Sequence, residues 1–166
     1  MTRTTIKPAA APSAEEDLLL ERQLCFALTV ASRSVVAAYK PVLERMGLTH
    51  PQYLVMLALW EKSPRSLREI SDELDLEPAT ISPLLRRLES VGFISRRRAA
   101  GNERSLAVEL TAAGAALRAE ALSVPETMMR KLGLEREDVV QLHEAMTRLI
   151  AATKGQQPTA GGASSS

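Results

Sequence analysis

The sequence predicts a mainly α-helical fold with one small β-hairpin, on three observations. Apolar residues recur at steps of three and four through most of the chain. The stretch Ser66 to Val91, SLREISDELDLEPATISPLLRRLESV, reads as two short amphipathic helices around a tight turn. Directly after it come two strand-like runs, Phe93 to Arg97 and Ser105 to Leu110, on either side of the polar tip 99–104. A hairpin that projects beside the second of two such helices is a wing. The architecture expected is therefore a winged helix-turn-helix with further helices before and after it.

A length of 166 residues suits one domain with a real core. The formal net charge of +1 argues against a polybasic coat for nucleic acid and against an acidic protein. No apolar run approaches the roughly 18 residues of a membrane span, and MTRTTIKPAAAPSA lacks the apolar heart of a signal peptide. A cytoplasmic, reducing location is expected, which suits a single cysteine, Cys25. No internal repeat, Gly-rich phosphate loop or metal-ligand cluster is apparent, so neither a metal, a cofactor nor an enzyme is expected. The organisation predicted is a disordered leader over 1–14, one domain over 15–154 and a disordered tail over 155–166. Within the domain, helices over 15–46 and 111–154 flank the winged helix-turn-helix at 49–110.

Taken in order, Ser13 and Glu16 form a capping-box pattern, and the series Leu20, Leu24, Leu28, Ala31, Val35, Ala38 predicts one long helix with a kink or break at Pro41. Thr49-His50-Pro51-Gln52 opens a second helix, to about Glu61. Ser66 and Glu69 form another capping box for a third, with Leu67, Ile70 and Leu74 on its buried stripe. Asp75-Leu76-Glu77 is the turn, and Pro78 starts the fourth helix at the position that needs no amide hydrogen. Gly92 ends that helix. After the wing, Thr111 caps a helix that bends at Val124-Pro125, and a last helix starts near Glu135 with Val139, Leu142, Met146 and Leu149. The outer helices carry more apolar surface than a small winged domain needs. They predict a two-fold homodimer with recognition helices about 34 Å apart, matched to a palindromic operator in double-stranded DNA.

At about 100° per residue, the fourth helix places Ile81, Leu84, Leu85, Leu88 and Val91 inward and Ala79, Ser82, Pro83, Arg86 and Ser90 outward. Small residues at its start let the helix approach base edges. Ser82 can donate or accept there, the methyls of Ala79 and Thr80 can meet a thymine methyl, and Arg86 can reach guanine or phosphate. From Arg86 to Arg104, six arginines (Arg86, Arg87, Arg96, Arg97, Arg98 and Arg104) stand against Glu89 and Glu103, whereas Arg65 to Glu77 is net acidic. A charge run is usually a solvated face, but one on a projecting hairpin suits phosphate contact.

This order of elements, with the wing phrase NERSLAVELTAAG, resembles the MarR-type transcriptional regulators over about Glu16 to Ala151. The phrases QLCFAL around Cys25, AYKP around Tyr39, LTHPQYLVML around His50 and TISPLLRRLE around Arg86 resemble the organic hydroperoxide resistance subgroup. The resemblance implies a repressor whose cysteine, here Cys25, is oxidised by organic hydroperoxide as inducer, after which the operator is released. It also implies that Arg104 enters the minor groove. The chain departs from the subgroup at Thr29 and His50, where tyrosines are usual, and at Asn102, where an aspartate is expected beside the wing arginine.

As a lone helical cysteine, Cys25 reads as a small buried hydrophobe; with the subgroup phrase it reads as a sensor, with Tyr39, His50 and also Arg22 as groups favouring its thiolate. Cys25 and Tyr39 lie fourteen residues apart, about 21 Å along a straight helix. They can meet only across a dimer. Other readings stay open: a regulator relieved by a phenolic or apolar ligand with Cys25 incidental, a thiol peroxidase, or a winged module that binds only protein. Tyr53 and Trp60 read as core aromatics, and His143 as a surface or interface residue.

Overall fold

The computed structural model describes residues 18–99 and 102–155, without the side chains of residues 98, 99 and 102–106. The leader expected over 1–14, the cap pair Ser13 and Glu16, and residues 156–166 of the tail lie outside the described residues. A single 3-10 turn, Leu20–Arg22, leads to α1 (Leu24–Glu44), then α2 (His50–Glu61), β1 (Arg65–Ser66), α3 (Leu67–Leu74) and α4 (Pro78–Ser90). The wing is β2 (Ile94–Ala99) and β3 (Asn102–Leu110), and the chain ends in α5 (Ala112–Ala116), α6 (Arg118–Ala121), α7 (Val124–Leu132) and α8 (Arg136–Gly155). The fold is the mainly helical winged helix-turn-helix that the sequence predicts.

Differences from expectation are local. Gln23 adopts an extended conformation and no side chain caps α1, so Leu20 falls outside the helix expected to include it. No break occurs at Pro41, and α1 continues to Glu44. The carbonyl that loses its donor belongs to exposed Ala37, where water can replace the bond, while burial of Leu43 and Met46 holds the last turns in register. The helix expected after Thr111 is divided into α5, α6 and α7. The sheet has a third strand: Arg65 and Ser66 pair with Val108 and Ala107, giving the antiparallel order β1-β3-β2. Two residues carry no periodicity of their own, so only the partner strand reveals them.

The core gathers around α2, which is apolar on nearly every side and buries Tyr53, Val55, Met56 and Leu59. Leu43 of α1 and Met46 in the turn after it close it, with Ile70 from α3, Ile81, Leu85 and Leu88 from α4, Ile94 and Val108 from the wing, and Val124 and Met128 from α7. Helix α8 buries no residue, and α1 buries only Leu43. Leu24, Phe26, Val30, Val139, Val140, Leu142 and Ile150 are exposed apolar residues of these two helices. No described helix is long and apolar enough to cross a membrane.

Candidate nucleic-acid interface and thiol site

The recognition face is set by how α3 and α4 are closed. At the start of α3 the Glu69 amide donates to Ser66 Oγ at 3.2 Å and the Ser66 amide donates to Glu69 Oε2 at 2.6 Å. That backbone donation from Ser66, aided by Lys62, holds the Glu69 carboxyl below the usual carboxylate range. Asp75 ends α3 in the left-handed region at φ 54°, which a short polar side chain tolerates, and Pro78 starts α4. Burial of Ile81, Leu85 and Leu88 then fixes the rotation of α4, so Ala79, Thr80, Pro83, Arg86 and Arg87 face solvent. Ser82 is only half-exposed, and its hydroxyl donates to the Pro78 carbonyl at 2.8 Å. Its lone pairs are left for an incoming donor, so it would accept from a base rather than donate.

The wing arginines do not form one group. Arg96 donates through Nε to Glu89 Oε2 at 2.8 Å and through Nη2 to the same oxygen. This ion pair joins β2 to the end of α4 and holds the Glu89 carboxyl below its ordinary range. Arg96, expected among the phosphate contacts, thus has its charge compensated within the chain; the strand spacing brings it back over α4, which the sequence run alone did not show. Arg97 is exposed. The side chains of Arg98, Asn102 and Arg104 lie outside the described residues.

Below the wing, Arg65 is buried and donates to the Lys62 carbonyl at 3.1 Å and to Glu73 at 2.9 Å, tying β1 to α3. At the turn, Asp75 meets Lys154 of α8 at 3.1 Å.

Cys25 is exposed in the second residue of α1. The Thr29 hydroxyl donates to the Cys25 main-chain carbonyl at 2.8 Å. Tyr39 and His50 are brought together, ring centroids 5.4 Å apart and nearly edge-on. They sit at the far end of an unbroken α1, about 21 Å from Cys25 by helical rise. Partial burial raises the Tyr39 phenol pKa and lowers that of the His50 imidazole, so the phenol is a neutral donor and the imidazole is neutral at neutral pH. Beside them α1, α7 and α8 enclose an apolar groove of about 430 Å³, lined by Val35, Tyr39, Met128, Leu132, Val139 and His143 among others. His143 is thus an exposed groove residue.

Sequence reasoning left two aromatic residues outside the site. Tyr53 packs on Tyr39 at 6.2 Å between centroids, and Trp60 packs on Tyr53 at 6.2 Å. The seven-residue interval from Tyr53 to Trp60, two helical turns, was the available signal. Among the described residues no group of three or more His, Cys, Asp or Glu side chains is placed to hold a metal ion.

Comparison with known proteins agrees with this geometry. A family model described as transcriptional regulator SarA/Rot matches residues 37–120. The organic hydroperoxide resistance transcriptional regulator of Bacillus subtilis is 37% identical over 135 residues, covering 81% of this chain and 92% of that protein. Among solved structures, reduced AbfR bound to DNA is 30% identical and superposes with a TM-score of 0.70 over 85% of this chain and 99% of that one. The disulfide form of AbfR, a protein of Staphylococcus epidermidis, is 32% identical and superposes with a TM-score of 0.60 over 85% and 94%.

Proposed function

The chain belongs to the MarR-type winged helix-turn-helix regulators of transcription, and from that membership we propose that it is a repressor that senses organic hydroperoxide through Cys25 and then releases its operator. That it is a DNA-binding transcriptional regulator rather than an enzyme follows from the family itself. The observation that carries the finer reading is the split thiol site. Cys25 is exposed at one end of α1, and Tyr39 with His50 waits at the other.

A second copy whose α1 runs antiparallel would bring each thiol to the partner's phenol and imidazole. It would also cover the apolar residues that α1 and α8 leave exposed. Sensing and dimerisation would then share one interface. In the working complex the cytoplasmic homodimer sets two α4 helices into adjacent major grooves of a palindromic site. Ala79, Thr80, Ser82, Pro83 and Arg86 face bases and Arg87 and Arg97 face phosphates; the roles of Arg98 at phosphate and Arg104 in the minor groove rest on the family resemblance.

The chemistry starts with the Cys25 thiolate attacking the distal oxygen of the hydroperoxide. The S–O bond forms as O–O breaks, and the alkoxide leaves as the alcohol with a proton from Tyr39 or solvent. The sulfenic acid has no second cysteine in the chain to resolve it. A small thiol then forms a mixed disulfide, or a backbone nitrogen a sulfenamide, with loss of water. Bulk added at the interface shifts the spacing of the two α4 helices. A mismatch of a few kcal/mol suffices to empty the operator, since specific binding exceeds non-specific by about 4–10 kcal/mol.

The test is titration with cumene hydroperoxide on a duplex selected from a random pool, comparing the natural chain with Cys25→Ser and identifying the modified residue by mass. The natural chain should release DNA and Cys25→Ser should hold it. Equal release by both would overturn thiol sensing. Insensitivity of both, with release by a phenolic compound instead, would establish the ligand-responsive alternative.

A further inference from the structure

We propose that Trp60 is a positioning residue that couples the Tyr39 end of the thiol site to the junction between recognition helix and wing. The inference rests on the proposed function only for the physiological input; the coupling itself is a property of the packing. Tyr39 contacts Tyr53, which is 5% exposed, and Tyr53 meets Trp60 edge-on. The Trp60 indole Nε1 donates to the Gly114 carbonyl at 2.8 Å, a bond between α2 and α5.

Gly114 in turn lies against the main chain of Phe93, so closely that a Cβ on it would stand 1.9 Å from the Phe93 carbonyl oxygen. The Thr111 amide donates to that same oxygen at 3.1 Å, and the Thr111 hydroxyl donates to the Gly92 carbonyl at 2.6 Å. Gly92 and Phe93 close α4, their amides donating to Glu89 and Leu88, and lead into β2. From Tyr39 to the end of α4 the steps are therefore two ring contacts, the indole hydrogen bond to Gly114, the close main-chain approach of Gly114 to Phe93, and the hydrogen bonds that close α4. Close-packed interiors pass on displacements because they have no slack to absorb them. A part-buried indole N–H needs a partner, and the partner Trp60 takes is the segment that abuts Phe93, so the bond ties α2 to the junction of α4 and the wing.

A double-mutant cycle on the reduced protein tests the coupling, with operator affinity measured for Tyr39→Ala, Trp60→Phe and the pair. Tyr39→Ala should weaken binding by about fivefold or more when Trp60 is present and by less than about twofold in Trp60→Phe. Equal fold-changes in the two backgrounds, or no effect of Tyr39→Ala, would overturn the proposal. Trp60 is the sole tryptophan, so one indole N–H resonance reports on it without any change at position 60. That signal should move both on operator binding and in Tyr39→Phe; a signal unmoved by either would also overturn the proposal. Treatment with cumene hydroperoxide separates this from the sensing reading. Oxidation of Cys25 without operator release would remove thiol sensing, and the reduced-state cycle would still decide the role of Trp60.

Discussion

Gly114→Ala should destabilise the protein strongly, although alanine is the better helix former. In an isolated helix the change would gain about 1 kcal/mol. Here the new Cβ would stand 1.9 Å from the Phe93 carbonyl oxygen, about 1.1 Å inside the nearest approach that real Cβ atoms make, and 2.9 Å from the carbonyl carbon. Both atoms are main chain, so no side-chain rotation relieves the clash. The backbones must part, and the Thr111 amide and hydroxyl bonds to Phe93 and Gly92 stretch with them. Overpacking costs about 1–3 kcal/mol and belongs near the top of that range for rigid partners. Two weakened hydrogen bonds add about 1 kcal/mol each. Less the propensity gain, the net loss is about 4 kcal/mol, a large part of the roughly 5–15 kcal/mol that keeps a domain folded. Urea unfolding at fixed protein concentration measures it. Stability equal to the natural chain or above it would refute the argument, because helix propensity alone predicts that result.

Three further outcomes are expected. Ser71 is 3% exposed and its hydroxyl has no partner among the described residues, so Ser71→Ala removes a desolvated group and should stabilise by about 1 kcal/mol in the same urea assay; a loss of that size would mean the hydroxyl has a partner in solution. Arg86→Ala should relax specificity at one symmetric base pair by about 1–3 kcal/mol if Arg86 reads a base, or flatten the salt slope for all sequences alike if it meets phosphate; unchanged binding and slope would take it off the interface. Because burial lowers the His50 pKa from 6.5, the unfolded chain binds the proton more readily than the folded one. The His50 contribution is thus full above pH 6.5 and lost as pH falls through the depressed folded value; His50→Asn should flatten that part of the stability profile, and an unchanged profile would assign it to other groups.

The sequence by itself determined whatever depends on a residue and its near neighbours. The Ser66 and Glu69 capping pair, the turn at Asp75, Gly92 after the recognition helix and the Thr111 cap all reappear where local chemistry put them, because each is closed by hydrogen bonds three or four residues away, and the proline at the first position of α4 reappears because that position needs no amide hydrogen. The buried stripe of α4 followed from its period through Leu88, but Val91, expected inward, is 41% exposed because α4 ends at Ser90 and the chain turns away at Gly92. The fourteen-residue interval from Cys25 to Tyr39 also gave their separation, since α1 is unbroken between them. Tertiary structure decided what depends on residues far apart in the chain. It drew Arg96 back onto Glu89, found a partner strand for Arg65 and Ser66, carried α1 through Pro41 on the burial of Leu43 and Met46, and lined up Tyr39, Tyr53 and Trp60 toward Gly114. No local pattern encodes these, because a contact between α2 and α5 is set by how the helices pack, and the periodicity of a helix says which face is buried but not what it will meet.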